Sequence, residues 1–216
     1  MKKLLVVVLL AIVVGGLYFL NSKNESPKDL NTNDSVSTDT NDNMLDVVSL
    51  ESKATYEIDE VLNGVPTHVV GTSSSLSGKV IFNKESKNIE GGEIVLDANS
   101  FKTDKSLRDE NVKKMVLKTS EAGNDAITFS ITKFEGAPEA KTGEEVSVKV
   151  LGDLKISGVT KAVTFDGKAK MGEDGTLTVN ASTTLTYEDF GIAVPDLPFL
   201  KDVSKNVKLS VDIVAK

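Results

Sequence analysis

Cysteine and tryptophan are absent from the 216-residue chain, and His68 is its only histidine. Without thiolates or a second imidazole, structural zinc, iron–sulfur clusters, thiol chemistry and a Ser-His-Asp triad lose their usual ligands and bases. Basic charge is also short. Against 32 Asp+Glu stand 25 Lys+Arg, for a formal net charge of -7 and a pI near 4.9. Such a chain lacks the basic surface that holds phosphate backbones, which argues against nucleic-acid binding. His68 sits in an extended run, Pro66-Thr67-His68-Val69-Val70, and reads as a structural or exposed strand residue. Glu90-Gly91-Gly92-Glu93 has the spacing of neither a phosphate loop nor a dinucleotide fingerprint. With no nucleophile–base pair and no metal-ligand cluster in view, the expectation is a protein without catalysis, cofactor or metal.

What is present begins with an apolar run. Residues 4–20, LLVVVLLAIVVGGLYFL, carry no charged side chain. As a helix the run would extend about 26 Å, close to the ~30 Å hydrocarbon core of a bilayer. Lys2 and Lys3 precede it, so the positive-inside rule places everything after Asn21 across the membrane. The run exceeds a usual signal-peptide core and no small-x-small site follows it, which favours an uncleaved single-pass anchor; secretion after cleavage is the alternative. Residues 21–43 are dominated by Asn, Ser, Thr, Asp and Lys, and residues 21–48 carry a net charge of -4. So few apolar groups cannot offset the entropy of ordering, and a flexible acidic tether is expected. The organisation read from the chain is an anchor over 1–21, a linker over 22–48 and one folded domain over 49–216.

Beyond residue 54 apolar and polar side chains alternate in short runs broken by Gly and Asp, the period-two signal of half-buried strands. Val80 and Phe82 share one face of 79–82, as do Ile94 and Leu96 in 92–98. Ile127, Phe129 and Ile131 share a face, and so do Val148 and Val150. Leu154 and Ile156 follow an interruption at Gly152-Asp153, and Val163, Phe165, Leu177, Val179, Leu209 and Val211 continue the inward set. Asp174-Gly175 and Ser157-Gly158 mark turns. Roughly eight such strands with one apolar face fit an all-β antiparallel sandwich or barrel. Residues 103–118 break the rhythm. They suit a short helix, with Leu107, Asn111 and Met115 at helical spacing and Ser106…Asp109 resembling a capping box. Arg108 stands out in a lysine-rich chain. Beside Asp104 and Asp109 it reads as a clamp fixing the helix to the barrel rim, or as a contact for an anionic headgroup at the mouth.

Several ordered stretches resemble one known family. Leu96-Asp97-Ala98-Asn99-Ser100-Phe101-Lys102-Thr103-Asp104, then Arg108-Asp109, is similar to its strand leading into a Thr-Asp…Arg-Asp segment. Ile127-Thr128-Phe129 follows, then Gly152-Asp153-Leu154-Lys155-Ile156-Ser157-Gly158-Val159-Thr160-Lys161 and Val163-Thr164-Phe165. Asp189-Phe190-Gly191-Ile192 closes the series and follows no kinase catalytic loop. Spread in this order over residues 54–216, the pieces resemble the YceI-like lipid/polyisoprenoid-binding family. The resemblance implies an extended, eight-stranded antiparallel lipocalin-like β-barrel with a helical lid. It also implies a long apolar cavity for an amphiphile, a polyisoprenoid or fatty-acid-like chain. Ser75-Leu76-Ser77-Gly78 is more polar than such a wall is expected to be.

The cavity candidates are then Val80, Phe82, Ile94, Leu96, Ile127, Phe129, Ile131, Val148, Val150, Leu154, Ile156, Val163, Phe165, Leu177, Val179, Leu209 and Val211, with Arg108 as headgroup candidate. The expected function is a membrane-tethered extracytoplasmic protein that sequesters or carries an amphiphilic lipid. The alternative is an anchored interaction or stress-response module with a closed barrel, for which Asp196-Leu197-Pro198-Phe199-Leu200 is a candidate docking loop, although packing as a lid is the preferred reading of that stretch. Monomer and homodimer both stay open.

Overall fold

The computed structural model describes residues 43–86, 88–136 and 142–216. The expected anchor and residues 22–42 of the expected linker lie outside the described residues. Eleven antiparallel strands form one sheet: β1 (Met44–Asp46), β2 (Lys53–Leu62), β3 (Val65–Ser73), β4 (Leu76–Asn83), β5 (Asn88–Asp97), β6 (Ala126–Gly136), β7 (Glu145–Ile156), β8 (Val159–Met171), β9 (Leu177–Thr186), β10 (Leu200–Lys201) and β11 (Asn206–Ala215). Neighbours run β1-β4-β5-β6-β7-β8-β9-β11-β2-β10, with β3 on the other edge of β2.

The sheet curls until its ends meet. β1 pairs with β4 through Asp46 and Lys79, while on its other edge Asp46 and Lys216 exchange hydrogen bonds of 2.7 and 3.0 Å. β2 pairs with β11 and with β3 in the same antiparallel sense. Hence β1 and β2 act as one interrupted strand, and β3 and β4, parted only by Ser74-Ser75, act as another. Counted that way, and leaving aside the two-residue β10, eight strands surround the interior. The domain therefore starts earlier than the expected residue 49, because residues 44–48 are hydrogen-bonded into the sheet.

Alternation decides what faces inward. In β7, Val148, Val150, Leu154 and Ile156 are buried while Ser147, Lys149, Asp153 and Lys155 are exposed. Each fully buried aliphatic side chain of this kind stabilises the fold by about 1.5–3 kcal/mol. Gly152 does not interrupt the strand. A Cβ there would lie 2.4 Å from the Ser130 carbonyl oxygen and 2.6 Å from the Phe129 ring, so the glycine admits the ring of the neighbouring strand. The departure at 75–78 also resolves by parity, since Ser77 points outward and Leu76 is buried. Ser157-Gly158 turns β7 into β8 with φ of 47° and 78°, and Asn63-Gly64 turns β2 into β3 with 52° and 79°. Two successive positive φ values match the strand twist of a tight hairpin.

The expected helix exists, over a shorter stretch than residues 103–118. Helix α1 (Ser106–Asn111) continues as a wider turn over Val112–Val116. Leu107 and Asn111 border the cavity mouth, although Leu107 is 73% exposed, and Met115 is 41% exposed; Asp109 is buried and Leu117 joins a cluster with Ala98, Leu154, Ile156 and Phe190. The Asp109 carboxylate accepts from the Thr103 backbone N–H (2.8 Å) and hydroxyl (2.7 Å), which ties the helix to the segment that leads into it. Ser106 makes no cap; the capping position falls to Lys105, which has no side-chain cap bond.

Candidate binding cavity

The inward face of the curled sheet leaves a cavity of about 390 Å³ walled by Val, Leu, Ile and Phe. Of the expected wall residues, Val80, Ile94, Leu96, Ile127, Phe129, Ile131, Val150, Leu154, Ile156, Phe165, Leu177, Val179, Leu209 and Val211 line it. Phe129 and Phe165 meet edge to face on its wall, with ring centroids 5.2 Å apart. Phe82, Val148 and Val163 do not reach the cavity; they pack against the hydrophobic core instead. For Phe82 the cause is local, since the β4–β5 register shifts between Ile81 and Phe82.

Arg108 also borders the cavity. It is the only arginine of the chain, and its side chain is 13% exposed. One guanidinium nitrogen donates to Glu60 Oε1 (3.2 Å); the other donates to Asp104 and, at 3.4 Å, to Thr103 Oγ1. The Glu60 side chain is only 10% exposed and lines the cavity on β2. Arg108 thus clamps Asp104, as the sequence suggests, together with a strand carboxylate, Glu60, that sequence analysis passed over; Asp109 bonds Thr103 instead. Parity was the available signal, because Glu60 continues the inward series Ala54, Tyr56, Ile58 and Leu62, all of which line the cavity.

Tyr56 is the second omission. Its ring lies against Gly71, where a Cβ would come within 2.1 Å of it, and packs edge to face on Phe101 at 5.2 Å. Burial pushes the Tyr56 hydroxyl up to about 12, opposed by Arg108 and reinforced by Asp109 and Glu60. The hydroxyl therefore keeps its proton at any physiological pH. The segment after β9 covers the cavity through Ile192, Val194, Leu197, Phe199 and Leu200; sequence analysis read residues 196–200 as lid packing and passed over Ile192 and Val194. The candidate docking loop is part of this cover, with Phe199 left 45% exposed.

His68 stands on the outer face of β3, where Nδ1 meets Asp59 at 2.7 Å and Nε2 meets Glu57 at 3.3 Å. Those carboxylates, Asp59 first, hold its pKa above the usual imidazole range. Among the described residues no cluster of three or more His, Cys, Asp or Glu is arranged for a metal.

The family profile described as a YceI-like domain matches residues 45–215. The chain belongs to the YceI-like family. No curated protein matches the sequence. Among solved structures, Burkholderia cenocepacia BcnA is similar at a TM-score of 0.60 and 20% identity, over 79% of this chain and 99% of that one. A polyisoprenoid binding domain from Saccharophagus degradans, implicated in plant cell wall breakdown, gives 0.65 and 14% over 81% and 98%. The Campylobacter jejuni YceI protein gives 0.52 and 20% over 67% and 82%. At these identities the likeness is one of YceI fold. The first two structures consist almost wholly of the matched fold, and residues 43–216 here contain the entire described sheet, core and cavity, so that segment is a folding unit.

Proposed function

We propose that this YceI-like chain is a membrane-tethered extracytoplasmic binding protein that carries an amphiphilic lipid, polyisoprenoid or fatty-acid-like, in its barrel and catalyses no reaction. The carrying observation is the apolar cavity of about 390 Å³ inside the curled sheet, with Tyr56, Glu60 and Arg108 among its few polar lining residues. Ligand sites commonly fall at roughly 300–1,000 Å³ with mostly apolar walls and a few placed polar groups. The similar structure described as a polyisoprenoid binding domain supports the same ligand class. For the tether, the support is the uncharged run 4–20 behind Lys2 and Lys3.

Physically, each methylene moved from water into such a wall gains about 0.8 kcal/mol, and little when it comes from a bilayer. Exchange with a membrane is then nearly neutral, which suits a carrier that must also release its lipid. The test incubates residues 43–216 with vesicles holding a tritiated polyprenol and separates protein from vesicles. Label that travels with the protein and saturates is the expected result; label left entirely in the vesicles sinks the carrier reading. Cleavage of the domain by protease added outside intact cells tests the tether and its side. Exposed Val65, Leu107 and Phe199 favour the second reading, a docking module, and that reading gains if no lipid is taken up.

A further inference from the structure

The Tyr56 hydroxyl has no hydrogen-bond partner among the described residues, although its ring is half-buried and lines the cavity. Because Tyr56 borders a nearly apolar cavity and no described group accepts from its hydroxyl, a bound molecule that offers an acceptor gains a hydrogen bond there. Beside it, the only guanidinium is already committed to Glu60 and Asp104, and the buried Asp109 carboxylate sits on the same lid segment. Two carboxylates, Glu60 and Asp104, therefore pair with the one guanidinium. An added anion would meet net negative charge rather than an open arginine.

We propose that the Tyr56 hydroxyl donates a hydrogen bond to an uncharged oxygen of the lipid, and that the Glu60–Arg108–Asp104 set turns carboxylate and phosphate heads away. This rests on the lipid-carrier reading and narrows it to alcohols, ethers, ketones or esters on a long hydrocarbon chain. Lys105 is the lysine of the cavity lining, but it is exposed, and a surface ammonium holds an anion only weakly against water. Tyr56 is fixed for the task from both sides, by Gly71 beneath the ring and Phe101 at its edge.

The experiment uses residues 43–216 and three tritiated probes of one chain length: hexadecane, hexadecanol and hexadecanoate. Equilibrium gel filtration at a pH where the acid is ionised reads each affinity. Hexadecanol is expected to bind about tenfold or more tightly than hexadecanoate. Tyr56→Phe lowers the hexadecanol-to-hexadecane affinity ratio roughly fivefold, the loss of one hydrogen bond. Glu60→Gln uncovers part of the arginine charge and raises hexadecanoate relative to hexadecanol by a similar factor, roughly fivefold. Circular dichroism checks that both variants stay folded. Equal affinity for alcohol and carboxylate, or an unchanged ratio in Tyr56→Phe, overturns the head selection while leaving the carrier intact. Failure of every probe, hexadecane included, removes the carrier reading itself.

Discussion

Gly71→Ala isolates one contact on which the cavity wall depends. The new methyl would sit 2.1 Å from Cε1 and 2.4 Å from Cζ of Tyr56, so the ring must move by more than 1 Å to restore an ordinary contact. Such overpacking costs about 1–3 kcal/mol. Displacing the ring also weakens its edge contact with Phe101, for up to about 0.5–1.5 kcal/mol more. Against this, replacing a strand glycine recovers about 0.5–1 kcal/mol of backbone entropy. The net expectation is a loss of about 1–3 kcal/mol, or a Tm lower by about 2–12 °C for a domain of this size. Urea unfolding of residues 43–216 measures it, with Tyr56→Leu and the double variant completing a cycle. If the ring is the obstacle, Gly71→Ala is nearly neutral in the Tyr56→Leu background, giving a coupling of about 1–3 kcal/mol. Simple additivity, or a Gly71→Ala protein as stable as the parent, refutes the packing described for Tyr56.

Other expectations follow from separate features. Asp109→Ala strips the partner from the Thr103 N–H and hydroxyl, and such a loss costs about 1–3 kcal/mol; hydrogen exchange should show faster amide exchange across residues 103–117. Because the His68 pKa is raised in the fold, its contribution is complete below the ordinary value of ~6.5 and is lost as pH rises through the raised one. Urea midpoints should accordingly fall over that window, and His68→Gln should flatten the trend; an identical slope in the variant contradicts it. Gly158→Ala places a side chain at φ +78° in the β7–β8 turn and should cost about 1 kcal/mol, read from the same urea curves.

Much of the barrel was legible because strands buried on one face print their parity. Ile94 with Leu96, and Val150 with Leu154 and Ile156, could be assigned inward from spacing alone. Gly152 was misread for a physical reason. Sequence displays a glycine, but not the Phe129 ring that needs the space of a missing side chain. Closure of the sheet was equally hidden, since it depends on Asp46 reaching Lys216 across nearly the whole domain. The helix was legible from the spacing of Leu107 and Asn111, which border the cavity, but the burial of Asp109 was not, because it depends on the hydrogen bonds from Thr103. Tyr56 and Glu60 were within reach, as the alternation from Ala54 to Leu62 carries both to the interior. What obscured them was the habit of assigning apolar residues to walls. In the irregular cover, residues 196–200 could be read as lid packing, whereas Ile192 and Val194 stand in no periodic pattern.

The central claim is that the interior holds lipid. Native mass spectrometry of residues 43–216 purified from the protein's own host, followed by lipid extraction, tests it directly. Beside it runs Ala181→Phe, which fills the cavity from β9. The account predicts near-stoichiometric long-chain amphiphile on the parent domain and little on the filled variant. A folded parent that carries nothing and takes up no added polyprenol contradicts it.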